Sequence, residues 1–145
     1  MPLVVNRLAA AMILGLTVVA LLLSLGTLLF GDAAAIAAAK RAILLGVMIL
    51  VPAVAILVGS AYRINGTDAQ TTCVKLIAAN TVINIFPLAI ILDWLAAGAA
   101  FGATFIAVQG FELVASVLTI VLAARQLGFG LRVSDHLPPG AGATA

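Results

Sequence analysis

The stretch from Leu8 to Phe30, LAAAMILGLTVVALLLSLGTLLF, decides the fold class because it runs for 23 residues without a charged side chain. A helix rises about 1.5 Å per residue, so one of this length crosses a hydrocarbon layer of about 30 Å. The stretch is also longer than the apolar core of a secretory signal peptide, which has about 7–15 residues. It is therefore predicted to be a transmembrane helix.

The composition extends this prediction to the whole chain. Of its 145 residues, 65% are hydrophobic and only 8% are charged, whereas about a quarter of the residues in a soluble domain carry a charge. Three further apolar stretches are long enough to cross a bilayer as helices, at about residues 42–61, 76–94 and 101–124. We predict an all-α integral membrane protein, a single membrane domain of four antiparallel transmembrane helices in a bundle with short loops.

The segments between these spans are short and carry the basic residues that predict orientation. The predicted loops are residues 31–40, 62–74 with the turn signal Asn65-Gly66, and 96–100, and the tail covers 125–145. One side of the membrane would hold Arg7, Arg63, Lys75, Arg125 and Arg132, and the other side Lys40 and Arg41. Because basic residues favour the cytoplasmic side, both termini are predicted to be cytoplasmic.

The composition also restricts the chemistry. His136 and Cys73 are the only residues of their types and lie far apart in the chain, so neither a metal centre nor a bound cofactor is expected. A net charge of +2 is too small to indicate a nucleic-acid partner. The expected partners are membrane lipid and other membrane subunits, or further copies of the chain.

Glu112 is the most informative single residue because it lies inside the fourth apolar stretch. A carboxylate in the hydrocarbon layer costs several kcal/mol, so it should face protein or water and have a partner. The helical spacing places Gln109, Glu112, Ser116 and Thr119 in one polar stripe. This stripe predicts a proton or ligand site around Glu112 and Gln109, or a contact between helices or subunits.

The third span offers a matching polar face. Asn80 and Asn84 lie four residues apart, and Pro87 leaves the carbonyl of Ile83 without its helical donor. We therefore expect Asn84 to donate a hydrogen bond to Glu112, and Asn80 and Asn84 to belong to the same candidate site. Pro87 and Pro52, in the second span, are expected to kink their helices.

Several short motifs in the second half of the chain resemble those of a group of small four-span proteins from bacterial inner membranes. They are Ile77-Ala78-Ala79-Asn80, Pro87, Phe105, Val108-Gln109, Glu112-Leu113 and Gly130-Leu131-Arg132. The resemblance implies a bacterial inner-membrane location and no particular activity.

These features favour a non-catalytic accessory or assembly subunit of a larger membrane complex, and no enzyme activity is predicted. One alternative is a small oligomeric proton-coupled transporter or channel that uses Glu112. A second alternative is a lipid- or quinone-handling membrane protein, for which Glu112 would be the only available general base. None of the seven basic residues is expected deep inside a span, and one structural role considered for Glu112 is docking on an arginine or lysine of a partner subunit.

Overall fold

The protein, seen in a computed structural model that describes residues 2–64 and 67–135, is almost entirely helical over those residues. Its α-helices are α1 (Pro2–Phe30), α2 (Ala33–Arg63), α3 (Asp68–Ala79), α4 (Phe86–Ala97) and α5 (Ala103–Asp135). A π-helical segment, Asn80–Ile85, joins α3 to α4 in one continuous helix. In the part of the chain described, four helices are thus long and apolar enough to cross a membrane, as the sequence predicts.

Each of the four helices extends beyond its predicted span at one end or at both ends. The largest changes fall in the predicted first loop and in the predicted tail. Helix α5 continues to Asp135, so the first half of the predicted tail is helical. Helix α2 begins at Ala33, so the loop predicted at residues 31–40, for which a turn of helix was also considered, is helical from Ala33 onward. His136 and the rest of the tail lie outside the described residues, as do Asn65 and Gly66.

The first connection is reduced to Gly31 and Asp32 because the sequence there caps a helix. The Asp32 carboxylate accepts a hydrogen bond from the Ala35 amide at 2.8 Å, which satisfies one of the free N–H groups at the start of α2. The alanines that follow have the highest helix propensity of any residue. Gly31 is needed in this turn because a Cβ there would lie 2.5 Å from the carbonyl oxygen of Thr27.

The other helix boundaries are also set by local contacts. The Thr67 hydroxyl accepts a hydrogen bond from the Gln70 amide at 3.3 Å and caps α3. The third connection covers residues 98–102, slightly later than predicted. Within it, Ala99 has a φ of 50°, a left-handed conformation that costs a residue with a side chain about 1–2 kcal/mol.

The two prolines have different surroundings. Helix α2 runs through Pro52 without interruption, whereas the turn before Pro87 is π-helical, with the Phe86 amide bonded to the Thr81 carbonyl. Proline has no N–H and disturbs the preceding turn, and single π-helical turns are one way in which a helix accommodates such a disturbance. The turn before Pro87 is therefore π-helical, and the kinks expected at Pro52 and Pro87 stay predictions.

Polar contacts between α1, α2 and α5 show how these helices lie beside one another. Near the start of α1, Asn6 contacts Ser60 of α2 and Gln126 of α5. Near the end of α1, Ser24 contacts Lys40 and Glu112, which belong to the first halves of α2 and α5. Between these two levels the core contains both apolar and polar side chains, among them the buried Ile13, Thr17 and Thr119.

Candidate functional site

The main polar feature of the interior is an ion pair between Lys40 and Glu112. The Lys40 ammonium nitrogen lies 2.7 Å from Glu112 Oε2, and the two residues are only 2% and 4% exposed. A lysine and a glutamate are almost never buried to this extent unless each has a partner. The charge that the sequence places inside the fourth span is therefore neutralised within the same chain.

Ser24 and Gln109 complete what we call the ion-pair cluster (Ser24, Lys40, Gln109 and Glu112). The Ser24 hydroxyl accepts a hydrogen bond from Lys40 at 2.7 Å and donates one to Glu112 Oε2 at 3.0 Å. The Gln109 amide donates a third hydrogen bond to the same oxygen, at 2.7 Å. Three helices thus meet at a single carboxylate oxygen.

Helix geometry explains the position of the cluster near one end of the molecule. Because α2 begins at Ala33, Lys40 lies two turns into it, about 10 Å from its start. Glu112 lies about 14 Å from the start of α5 at Ala103. Glu112 therefore lies within the first third of α5.

The predicted hydrogen bond between Asn84 and Glu112 is wrong. Asn84 donates to Asn80 Oδ1 at 2.8 Å, one turn earlier on its own helix. Asn80, which is buried, donates to the Ala115 carbonyl and to the Thr119 hydroxyl, both at 2.8 Å. The two asparagines therefore form a separate contact between the third span and α5, and Gln109 is the only predicted neighbour that bonds to Glu112.

A third polar contact lies toward the other end of the bundle core. The Asn6 amide donates to the Ser60 hydroxyl at 3.0 Å and more weakly to the Leu57 carbonyl at 3.4 Å. The Gln126 amide donates to Asn6 Oδ1 at 3.1 Å. This contact joins α1, α2 and α5, as the ion-pair cluster does, and it contains no charged member.

An apolar cavity of about 190 Å³ adjoins the ion-pair cluster between α1, α2 and α5. Its walls include Leu16 and Ala20 of α1. On α2 they include Gly46, Val47 and Leu50. Glu112 and Ser116 supply polar groups to the same cavity. Glu112 thus both pairs with Lys40 and lines an apolar cavity.

A second ion pair lies on the outside of the same region. Arg41 Nε lies 3.1 Å from Asp93 Oδ1 and connects α2 to α4. The Arg41 side chain is 63% exposed. Because its surroundings screen the charge, this pair is expected to contribute little to stability. It therefore differs from the buried Lys40–Glu112 pair in both environment and expected energy.

Sequence reasoning missed two members of the ion-pair cluster, Lys40 and Ser24. Lys40 was assigned to a loop, although the capping residue Asp32 and the alanines after it were a signal for an earlier helix start. Ser24 is one hydroxyl in a long apolar run, and no pattern in that run distinguishes it. Docking on a base of a partner subunit was one role considered for Glu112, and the structure shows a basic partner, Lys40, in the same chain.

The arrangement can fix three helices relative to one another and hold a charge in place. All three hydrogen bonds that Glu112 accepts from described residues end on the same oxygen, Oε2. No protein family, curated protein or solved structure matches the chain.

Proposed function

We propose that this chain is a non-catalytic accessory or assembly subunit of a larger membrane protein complex. In this proposal its four helices cross a bacterial inner membrane as an antiparallel bundle, with both termini in the cytoplasm. The observation that carries the proposal is the closed Lys40–Glu112 pair, with its nitrogen–oxygen distance of 2.7 Å and its burial. A carboxylate neutralised by its own chain serves to hold helices together.

One polar residue on the outer surface supports a role in assembly. The side chains exposed around the helices are large and apolar, as contact with lipid requires, among them Leu22, Leu45, Ile83 and Phe111. In the middle of the third span, Asn84 is also exposed and adjoins a surface groove with Ile83 and Leu118. A polar amide on an otherwise apolar membrane surface favours contact with another protein helix, where it gains a hydrogen-bond partner.

The proton-coupled alternative has less support. A transporter needs a polar route to its protonation site, whereas the cavity that reaches Glu112 has mainly apolar walls. Glu112 would also have to give up Lys40 before taking a proton, which would leave a buried lysine without its counter-charge. The quinone-handling alternative is weakened by the same contact, since Glu112 was its only candidate general base.

The proposal is tested by purifying the tagged chain from its native membrane in a mild detergent and identifying the co-purified proteins by mass spectrometry. We expect larger membrane proteins in fixed stoichiometry. A particle that contains only this chain and lipid contradicts the accessory role, and proton flux with Glu112→Gln would then be the next measurement.

A matched pair of variants locates the contact. Asn84→Leu should reduce the co-purified partner by at least about fivefold, in line with about 1–2 kcal/mol for a hydrogen bond between membrane helices. Val82→Leu, a similar change at a neighbouring residue that is 56% exposed, should leave it unchanged. Equal yields from both variants would place the contact elsewhere on the surface.

A further inference from the structure

The cavity beside the ion-pair cluster has the size of a small organic molecule. An apolar protein cavity of about 150 Å³ stays free of water and binds benzene, and this cavity measures about 190 Å³. Its walls are side chains such as Leu16, Ala20 and Leu50. Such walls suit an occupant that is itself mainly apolar, because ligand pockets combine hydrophobic walls with a few placed polar groups.

The polar groups of the cavity still have hydrogen-bonding capacity. All three donors to Glu112 end on Oε2, and no described residue donates to Oε1. Ser116, one turn further along α5, lines the same cavity, and its hydroxyl bonds to no other described residue. The third polar residue there, Thr17, already donates to the Ile13 carbonyl at 2.7 Å.

Glu112 Oε1 and the Ser116 hydroxyl determine which polar group an occupant of the cavity can carry. Glu112 Oε1 can only accept a hydrogen bond, whereas the Ser116 hydroxyl can also donate one. A hydroxyl group on the occupant can donate to the first and accept from the second. A second carboxylate would meet a like charge, and an added cation would find Glu112 already neutralised by Lys40.

The cavity adjoins the outer surface between α1 and α2. Val19 and Leu23 line it and are also 55% and 39% exposed. An occupant can therefore enter from the apolar surroundings of the helices without passing the ion-pair cluster.

We propose that this cavity is a binding site for a small uncharged apolar molecule that carries one hydroxyl group, such as a medium-chain alcohol. The hydroxyl donates to Glu112 Oε1 and accepts from Ser116, and the hydrocarbon part fills the space between α1 and α2. The site involves no chemical step and is independent of the proposed assembly role.

The experiment uses photolabelling of the full-length chain in lipid nanodiscs with octan-1-ol that bears a diazirine on its alkyl chain. The control probe is octane with the same diazirine. We expect the alcohol to label residues 16–23 and 42–50, as mapped by peptide mass spectrometry. Excess octan-1-ol should compete, while excess octane should compete at least about fivefold less well because it lacks the hydrogen bonds.

Two variants test the cavity and its polar end separately. Gly46→Leu should fill the cavity, because a Cβ at Gly46 meets no atom within 4 Å. Gly15→Leu is its control, since Gly15 is equally unobstructed but exposed on the surface. Ser116→Ala should reduce alcohol labelling by about fivefold and leave octane labelling unchanged, because only the alcohol loses a hydrogen bond.

The proposal is overturned if the alkane labels and competes as well as the alcohol, because the cavity would then be a nonspecific apolar space. It is also overturned if alcohol labelling falls outside the segments that line the cavity, which are residues 16–23, 42–50, 85 and 112–116. The competition experiment needs only the unmodified chain, so it decides the question even if Gly46→Leu does not fold.

Discussion

Lys40 and Glu112 are 72 residues apart in the chain, yet the lysine ammonium nitrogen and a glutamate oxygen lie 2.7 Å apart in the interior. The pair joins α2 to α5, and Ser24 extends the contact to α1. Each charge depends on the other because neither is exposed to a polar solvent. The ion pair and the Ser24 hydroxyl therefore connect α1, α2 and α5 through one set of polar contacts.

Removing one member of this pair should be much worse than removing both. Glu112→Gln leaves Lys40 without its counter-charge and should lower the free energy of unfolding by about 3–5 kcal/mol, whereas Lys40→Met combined with Glu112→Leu should restore most of it. Unfolding in mixed detergent, followed by circular dichroism, measures both. Arg41→Met, which breaks the exposed pair with Asp93, is the control and should cost less than about 1 kcal/mol. Additive effects at Lys40 and Glu112 would contradict this prediction.

The uncharged contact at Asn6 should also contribute to stability. Asn6→Ala removes the hydrogen bonds to Ser60 and Gln126 and leaves buried polar groups unpaired, so we expect a loss of about 1–3 kcal/mol. Asn84→Ala is the matched change, at an exposed asparagine that donates to Asn80 on its own helix. Its cost should be below about 1 kcal/mol in the same unfolding assay, and equal costs would show that burial does not decide the difference.

The π-helical segment should be the least protected part of the described spans. Its hydrogen-bond geometry is less favourable than that of an α-helix, and Pro87 removes one donor directly after it. Amide hydrogen exchange measured in nanodiscs should therefore be faster in Asn80–Ile85 than in α2 around Pro52, where the helix is uninterrupted. Slower exchange in the π-helical segment would contradict the prediction.

The proposed orientation is open to cysteine labelling. In a Cys73→Ala background, a membrane-impermeant maleimide added to intact cells should label Ala100→Cys in the third connection. Ala69→Cys, exposed near the start of α3, should react only after the cells are opened. The reverse result would place both termini outside the cytoplasm.

The third connection offers a stabilising change. Ala99 has a φ of 50°, which glycine adopts with little strain. Ala99→Gly should raise the free energy of unfolding by about 0.5–1 kcal/mol, after allowance for the greater flexibility of glycine in the unfolded chain. Ala100→Gly, a change at the next residue, should give no gain, and equal effects at the two positions would argue against strain at Ala99.

The apolar runs were sufficient to predict the four helices, because length and lack of charge are local properties of the sequence. The proximity of Gln109 to Glu112 was also predictable, since the two residues are three apart on one helix. These inferences require no knowledge of how the helices pack. Contacts within a helix are therefore the part of the candidate site that the sequence specifies directly.

Contacts between helices were harder to predict. Asn84 was paired with Glu112 on the basis of depth, but it bonds to Asn80 because a partner on its own helix lies one turn away. Lys40 was placed in a loop because a basic residue before an apolar run usually marks the end of a span. The depth of a residue depends on where its helix begins, and a single capping side chain, that of Asp32, changed this for Lys40.

The separation of Lys40 from Glu112 along the chain also has a consequence for biosynthesis. A ribosome completes α2 long before it reaches α5, so Lys40 exists for a time with Ser24 as its only partner in the ion-pair cluster. A truncated product would keep an uncompensated ammonium group among apolar side chains, which is costly. Only a product that extends through Glu112 in α5 can give the buried lysine its carboxylate partner.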